Sequence, residues 1–443
     1  IVADCVELCL AHEFSLMFLG GFVTIATQAI RELVRSSWST RECPAKRIFL
    51  GMESTPVKLQ SNDEWVERQF GDCELGNSLR TKRLQKVAGA MLNCPEKSLP
   101  QQNQEWGDLK AAYRLFDNDR VTFDAVAEQH WKQTRQTQPG RYLLISDTTD
   151  VNHYTHQATT GLGMLGDGKG RGMQLHSCLV YDCGAKLIQG TAGALVYYRK
   201  NVPKGETRKQ RLNRIRESTL WGNLVDEVGS SPAGSHWIHV FDRGGDNFAA
   251  MCHIHLSGCD WIIRAAKLER NVITESGEKI PLKKALNTAR RLGSYELDLR
   301  SRPGVKARTA SICVSVARIT FPKPVHRSDW VRQCGVKELE MNVVIVQETN
   351  RRKGVSPIRW VLLTSLPVET FEHAWQVIED YESRWLIEEY HKVIKTGCSL
   401  EMHALRTADR LEPLMALISV IGTRLFQLKL VGRSQKQAKA RTH

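Results

Sequence analysis

The chain has 443 residues, with 62 Lys and Arg against 48 Asp and Glu, a formal net charge of +14 and a pI near 9.3. With 42% hydrophobic and 25% charged residues it can bury real cores, which excludes a disordered, collagen-like or coiled-coil chain. The positive surplus favours a polyanionic partner, nucleic acid or an anionic membrane, over a neutral metabolite.

The chain begins with Ile1, and an uncharged run covers Phe14 to Ile30. That run is shorter than the ~20 apolar residues of a membrane span, ends in polar Thr27-Gln28, and lacks the positive leading segment of a signal peptide. Residues 1–51 therefore read as an upstream extension before a functional start at Met52, and no membrane partner is expected.

Residues 63–135 read as helical. Asp63 and Glu64 open one helix, apolar residues at Leu84, Val87, Ala88 and Met91 mark a second over Leu79 to Leu92, and two more follow over Leu109 to Phe116 and Phe123 to Arg135. The second carries Arg80, Lys82, Arg83 and Lys86 on its polar side. A helical bundle with one basic helix is a common DNA-docking unit, although a solvated basic face fits the same pattern.

From Tyr142 the pattern changes to short apolar runs, which predicts the strands of a mixed α/β domain. Tyr142 to Asp147, Met173 to Tyr181 and Leu187 to Tyr198 form an antiparallel meander in this reading. A charged helix follows over Lys209 to Glu227, then a strand over Trp237 to Phe241, a helix over Asn247 to Leu256 and a strand over Trp261 to Ala265. Residues 267–355 are basic and β-like, and read as an inserted β-subdomain. The strand Trp360 to Thr364 leads out of it, and a long helix is predicted from Phe371 to Thr396. Twelve cysteines are scattered without a C-x-x-C pair, which fits a reducing, cytoplasmic compartment, and the cluster Cys252, His253, His255 and Cys259 matches no common zinc module.

Two carboxylates stand at strand ends, Asp147 after Leu-Leu-Ile-Ser and Asp242 after Ile-His-Val-Phe. Desolvating a bare carboxylate is costly, so a metal ion is one natural partner, while helix capping is the common role of a single Asp in such a place. Further on, Tyr381, Arg384, Glu388 and Lys395 fall within a stripe roughly 60° wide on an ideal helix. A carboxylate flanked by a guanidinium, an ammonium and a phenol suits a phosphodiester, and an Arg384–Glu388 ion pair on a solvated face is the plain alternative.

Asp147-Thr148-Thr149, Phe241-Asp242-Arg243 and Tyr381-x2-Arg384-x3-Glu388-x6-Lys395 together resemble the signature of DDE transposases of the insertion-sequence-four superfamily, and the resemblance runs from about Trp65 to Leu428. It implies a helical domain over residues 60–135 that binds transposon ends, and an RNase H-like α/β catalytic domain over 140–428. In it Asp147, Asp242 and Glu388 would hold two Mg²⁺ or Mn²⁺ ions for cut-and-paste chemistry on transposon ends and target DNA. Tyr381, Arg384 and Lys395 would bind phosphates. Trp360 stands where the family stacks a flipped base, and at a strand start it also fits a core residue. Arg80, Arg83 and Arg114 match DNA-contacting positions. The family continues into a C-terminal dimerisation domain where this chain has only a basic tail over 429–443. Self-association is therefore expected to be weakened, and a non-catalytic end-binding protein is the alternative function.

Overall fold

The computed structural model describes residues 60–441, apart from 167, 169, 302–305 and 353, with side chains as far as residue 432. The expected upstream extension and its apolar run lie outside the described residues.

Four longer helices come first, α1 (Asn62–Phe70), α2 (Ser78–Asn93), α3 (Trp106–Phe116) and α4 (Phe123–Arg135), with a single helical turn over Leu99–Gln102 between α2 and α3. Their starts have local causes. Asn77 caps α2 by accepting the Arg80 N–H at 2.9 Å, and Thr122 caps α4 by accepting the Ala125 N–H at 3.2 Å. The helical spacing of apolar residues buries Trp65 and Phe70 of α1, Leu84, Val87 and Met91 of α2, Leu115 and Phe116 of α3, and Val126 and Trp131 of α4.

A mixed sheet follows. Its strands are β1 (Gly140–Asn152), β2 (Gly163–Leu165), β3 (Gly170–Asp182), β4 (Leu187–Tyr197), β5 (Ser235–Phe241) and β6 (Asp260–Arg264), then β7 (Asn271–Thr274), β8 (Lys279–Pro281), β9 (Arg290–Leu299), β10 (Arg308–Pro322), β11 (Glu338–Glu348) and β12 (Arg359–Thr364). The order is β2-β3-β1-β5-β6-β12-β11-β10-β7-β8, with β4 on β3 and β9 on β10. The expected meander is present, since β1 pairs with β3 and β3 with β4, both antiparallel. β1, β5 and β6 run parallel.

Two expectations are corrected here. The basic insertion does not form a sheet of its own: β12 pairs antiparallel with both β6 and β11, so the inserted strands extend the main sheet and cover what would be the open edge of β6. The strand expected to end at Asp147 also runs on to Asn152, because its second half continues the ladder with Ser177 to Gly172 of β3.

The helix expected over Lys209 to Glu227 is two helices, α5 (Arg208–Asn213) and α6 (Glu217–Val228), separated by extended backbone at Arg214 and Arg216. α7 (Phe248–Leu256) then links β5 to β6 in a parallel β-α-β unit, and α8 (Asp329–Gln333) lies in the insertion. On one sheet face, Tyr142, Leu144, Val180, Trp237 and Phe241 pack with Trp221, Leu224 and Val225 of α6 and Met251 of α7.

The helix expected over Phe371 to Thr396 is likewise divided, into α9 (Phe371–Glu382) and α10 (Trp385–Lys392). The Ser383 hydroxyl bonds back to the Glu379 carbonyl at 3.1 Å, a geometry that bends helices. Three-residue bonds from Arg384 N–H to Tyr381 O (3.0 Å) and Ile387 N–H to Arg384 O (3.2 Å) tighten the turn between them. Beyond α10 the turns widen over Val393–Gly397, where the Cys398 N–H reaches the Val393 carbonyl at 2.9 Å.

The last helix, α11 (Ala408–Arg441), carries the expected basic tail as a continuation of its own turns. Residues Ala408–Gly432 are long and apolar enough to cross a membrane, but 67% of that apolar window is buried inside the molecule, as in a core helix. Leu414, Leu417, Ile418, Ile421 and Phe426 fill that core.

A carboxylate cluster and a candidate DNA interface

The register of two parallel strands builds the site. Ser146 pairs with Phe241, and Tyr142 and Leu144 pair with Trp237 and His239. One residue further, Asp147 and Asp242 stand side by side, on the sheet face opposite the Tyr142, Leu144 and Phe241 core. Each carboxylate uses one oxygen on the nearby backbone: Asp147 Oδ1 accepts the Thr148 N–H at 2.7 Å, and Asp242 Oδ1 accepts the Gly244 N–H at 2.6 Å. Asp242 thus does cap the turn after β5, as a lone Asp commonly does, and keeps its second oxygen for another partner.

α10 brings the third carboxylate across β1. Arg384, 4% exposed, donates from Nη1 to Asp147 Oδ2 and from Nη2 to Glu388 Oε1, each at 3.0 Å. Burial, then the Asp242 carboxylate, push Asp147 up to about 8, against the opposing pull of Arg384, with Glu388 adding to the rise. Burial alone would depress Arg384, but Asp147, Tyr381 and Glu388 together hold it above its ordinary value. The Arg384–Glu388 contact is an i,i+4 pair, yet it is not the solvated face that such a pair usually makes. As placed, among the described residues, no three His, Cys, Asp or Glu side chains converge closely enough to share one metal ion. The positive charge among these carboxylates is the guanidinium.

The other residues expected on that stripe separate from it, because the bend at Ser383 breaks the ideal helix before Arg384 and the wide turn over Val393–Gly397 breaks it before Lys395. Tyr381 is buried, with its ring centroid 5.1 Å from that of Trp360 in an edge-to-face contact. Burial pushes the Tyr381 phenol up to about 12. Trp360, 2% exposed, is a core residue in this structure and presents no open face to a base. Lys395 Nζ donates to the Asp150 carbonyl at 2.9 Å and lies 3.2 Å from Glu401, which pins it to the polar end of β1. Glu401 also accepts the Asn152 N–H at 2.9 Å. It gave no signal in the sequence, since it stands in a short turn outside every motif. Beneath Asp147, Thr148 Oγ1 and His176 Nδ1 are 2.6 Å apart, and burial depresses the His176 imidazole to about 3. The members of the Cys252–Cys259 cluster go to different partners: His253 Nδ1 bonds Asp226 at 2.7 Å and its ring stacks on Trp330, while His255 is exposed.

The basic residues of the helical domain divide into held and open ones. Arg83 and Lys86 both grip Asp108 of α3, each at 2.8 Å, and these hydrogen bonds, from Lys86 first and then Arg83, lower its carboxyl below the ordinary value. Arg80 Nη1 donates to the Leu75 carbonyl at 2.8 Å, which holds the turn before α2. Lys82 and Arg114 are exposed. On α3, Trp106, Lys110 and Tyr113 are exposed and lie within about 60° of one another around the helix, with Arg114 beside them. Trp106 is 72% exposed, unusual for so large an apolar ring, and an aromatic and cationic stripe of this kind suits DNA. The sequence reading found Arg114 but not Trp106, Lys110 or Tyr113, although their spacing of four and three residues was a visible signal.

Comparison with known families agrees with this part of the molecule. Residues 62–121, the span from α1 to the turn before α4, match the family described as Transposase DNA-binding. The helical region is therefore a transposase DNA-binding domain leading into a large mixed sheet, and DNA is the partner it supports.

Proposed function

We propose that the chain is a DDE transposase of the insertion-sequence-four type, which cuts and rejoins DNA by metal-dependent phosphoryl transfer. The observation that carries this reading is the register that sets Asp147 beside Asp242 on parallel strands, with Glu388 brought to the same face through Arg384. The sheet order, an antiparallel meander followed by parallel β1, β5 and β6, supports an RNase H-like catalytic domain. The match of residues 62–121 supplies the substrate, DNA, and the transposase context.

The donor set fits Mg²⁺ or Mn²⁺ in kind. Three carboxylates offer hard oxygen ligands, and burial, then the Asp242 carboxylate, hold Asp147 far above its ordinary value even with Arg384 beside it. Asp147, Asp242 and Glu388 would hold the ions, which when bound supply the activation of an attacking oxygen and the neutralisation of a leaving one. The chain's own residues do the rest. Arg384 must swing off Asp147 and Glu388, and a phosphodiester is the anion that takes it over, bidentately. Lys395 and Glu401 hold the end of β1, so that Asp147 keeps its place while Arg384 moves. Nicking at a transposon end, hairpin formation and opening, and strand transfer are all in-line phosphoryl transfers, so one such site serves each.

A second reading is a protein that binds DNA ends without cutting them, favoured by the guanidinium that stands among the carboxylates. The full chain, incubated with DNA carrying the element's ends and Mn²⁺, separates the two. The catalytic reading expects nicked and hairpin products that are lost in Asp147→Ala. Bound but intact DNA with both proteins sinks it and leaves the binding reading.

A further inference from the structure

Half of the chain's formal charge sits in a short segment that neither the DNA-binding domain nor the carboxylate site uses. Residues 199–216, between β4 and α6, hold eight Lys or Arg against the single acid Glu206, a net +7 of the whole chain's +14. The segment has a built shape. Arg199 bonds Glu217 at 2.7 Å and the Gly166 carbonyl at 2.5 Å at its start. Arg214 takes up Glu206 at 2.7 Å. Asn213 and Asp329 of α8 bond each other twice, at 2.7 and 2.8 Å, and so tie α5 to the insertion. With Glu206 consumed internally and Arg199 and Arg214 engaged, Lys200, Lys204, Arg208 and Arg211 are exposed and make no ion pair among the described residues. Lys209 reaches only the rim of Asp329, at 4.0 Å.

The location of this segment gives the charge a direction. It runs straight into α6, whose Ser218 carbonyl accepts from Asn247 at 3.3 Å and whose Trp221 ring lies 4.8 Å from Phe241, next to Asp242. The cationic segment therefore starts from the tie to α8 and leads into the helix that packs against the turn at Gly244, after β5. No aromatic residue occurs between 199 and 216, so the segment has nothing on which to stack unpaired bases. Cations without aromatics or fixed base-reading geometry contact the phosphate backbone and carry no sequence preference.

We propose that residues 199–216 form a second DNA-binding surface, a sequence-independent track for the backbone of duplex DNA that runs from α8 toward the turn after β5, outside the segment held by residues 62–121. It rests on the reading of the chain as a protein that acts on DNA. The track takes the part of the duplex that the end-binding helices do not reach.

The test is a salt titration of duplex binding by the full chain, followed by fluorescence anisotropy. Wild type is compared with the combined variant Lys200→Gln, Lys204→Gln, Arg208→Gln and Arg211→Gln. Four lost phosphate contacts lower the slope of log K against log salt by about 3–4, at roughly 0.9 per contact. A charge-conserving variant, Lys200→Arg with Lys204→Arg, keeps the wild-type slope, which separates charge from shape. A quadruple variant whose slope stays within about 0.5 of wild type overturns the proposal. So does one that keeps its DNA slope but ceases to sediment with phosphatidylglycerol vesicles. Nicking is scored in parallel: wild type that never nicks sinks the catalytic reading and leaves this comparison standing, while an unchanged slope with active wild type sinks this proposal alone.

Discussion

Arg384→Ala tests the electrostatics of the carboxylate cluster. Arg384 is buried and joins Asp147 and Glu388 through two bonds of 3.0 Å. Charge-assisted bonds contribute about 1.5–3 kcal/mol each, and removing one side of a buried ionic network costs about 3–5 kcal/mol. The loss is read as a fall in Tm of about 5–10 °C, at the low end of the shift per kcal/mol because this folded unit is large. The assay is thermal unfolding near pH 8.5, above the value near 8 to which Asp147 is pushed in wild type; the loss of Arg384 raises Asp147 further, and the bound ion reverses that rise. Mn²⁺ is then added. A site of about 10 µM affinity gains about 2.7 kcal/mol at about 1 mM ion. The variant gains more from Mn²⁺ than wild type does, because in wild type the ion must first displace the guanidinium. A variant that melts within about 1 °C of wild type, or that Mn²⁺ does not stabilise more than wild type, refutes the reasoning.

Three further outcomes follow from other contacts. Asp108→Asn frees Arg83 and Lys86 on the face of α2, so DNA affinity rises and the salt slope steepens by up to about 1.8; an unchanged or shallower slope shows that neither cation can reach phosphate. His239 is fully buried with neither ring nitrogen bonded among the described residues, and burial depresses it to about 3, below its ordinary value of 6.5. Its neutral form therefore contributes stability that is complete above about pH 6.5 and is lost as pH falls toward 3. His239→Leu makes urea-measured stability less steep in that window by up to about 1.4 kcal/mol per pH unit, and an unchanged slope contradicts the assignment. Trp360→Ala costs about 3–5 kcal/mol in urea unfolding as a core truncation, whereas a Trp serving only to stack on DNA leaves stability nearly unchanged.

Local signals in the sequence were read well where they are physically local. α4 was legible to the residue, since Thr122 caps it, Asp124 opens it and Lys132 and Arg135 close it. The two Asp contexts were legible because each follows a run of apolar residues, while the register that sets them side by side was not. What sequence could not supply was pairing. The insertion looked like a separate β-subdomain because nothing in β12 declares that it bonds to β6 as well as β11. Asp147 was taken for a strand end because Asp147 to Asp150 are polar, and the partner strand β3 keeps them extended. The stripe drawn on an ideal helix divides for two local reasons: the Ser383 hydroxyl bonded back to Glu379 bends the helix, with Tyr381 packed against Trp360, and the wide turn over Val393–Gly397 sets Lys395 apart. Arg384 and Glu388 survive that bend because both lie on its far side.

The most direct test of the central claim is metal-dependent cleavage by proteins that differ in a single charged oxygen. Wild type, Asp147→Asn, Asp242→Asn and Glu388→Gln are incubated with end-bearing DNA and Mn²⁺, with binding measured on the same samples and products resolved on denaturing gels. The account predicts nicks and hairpins from wild type, and intact but bound DNA from all three amide variants. Cleavage that persists in any one of the three, or wild type that binds and never cuts under the same conditions, contradicts it.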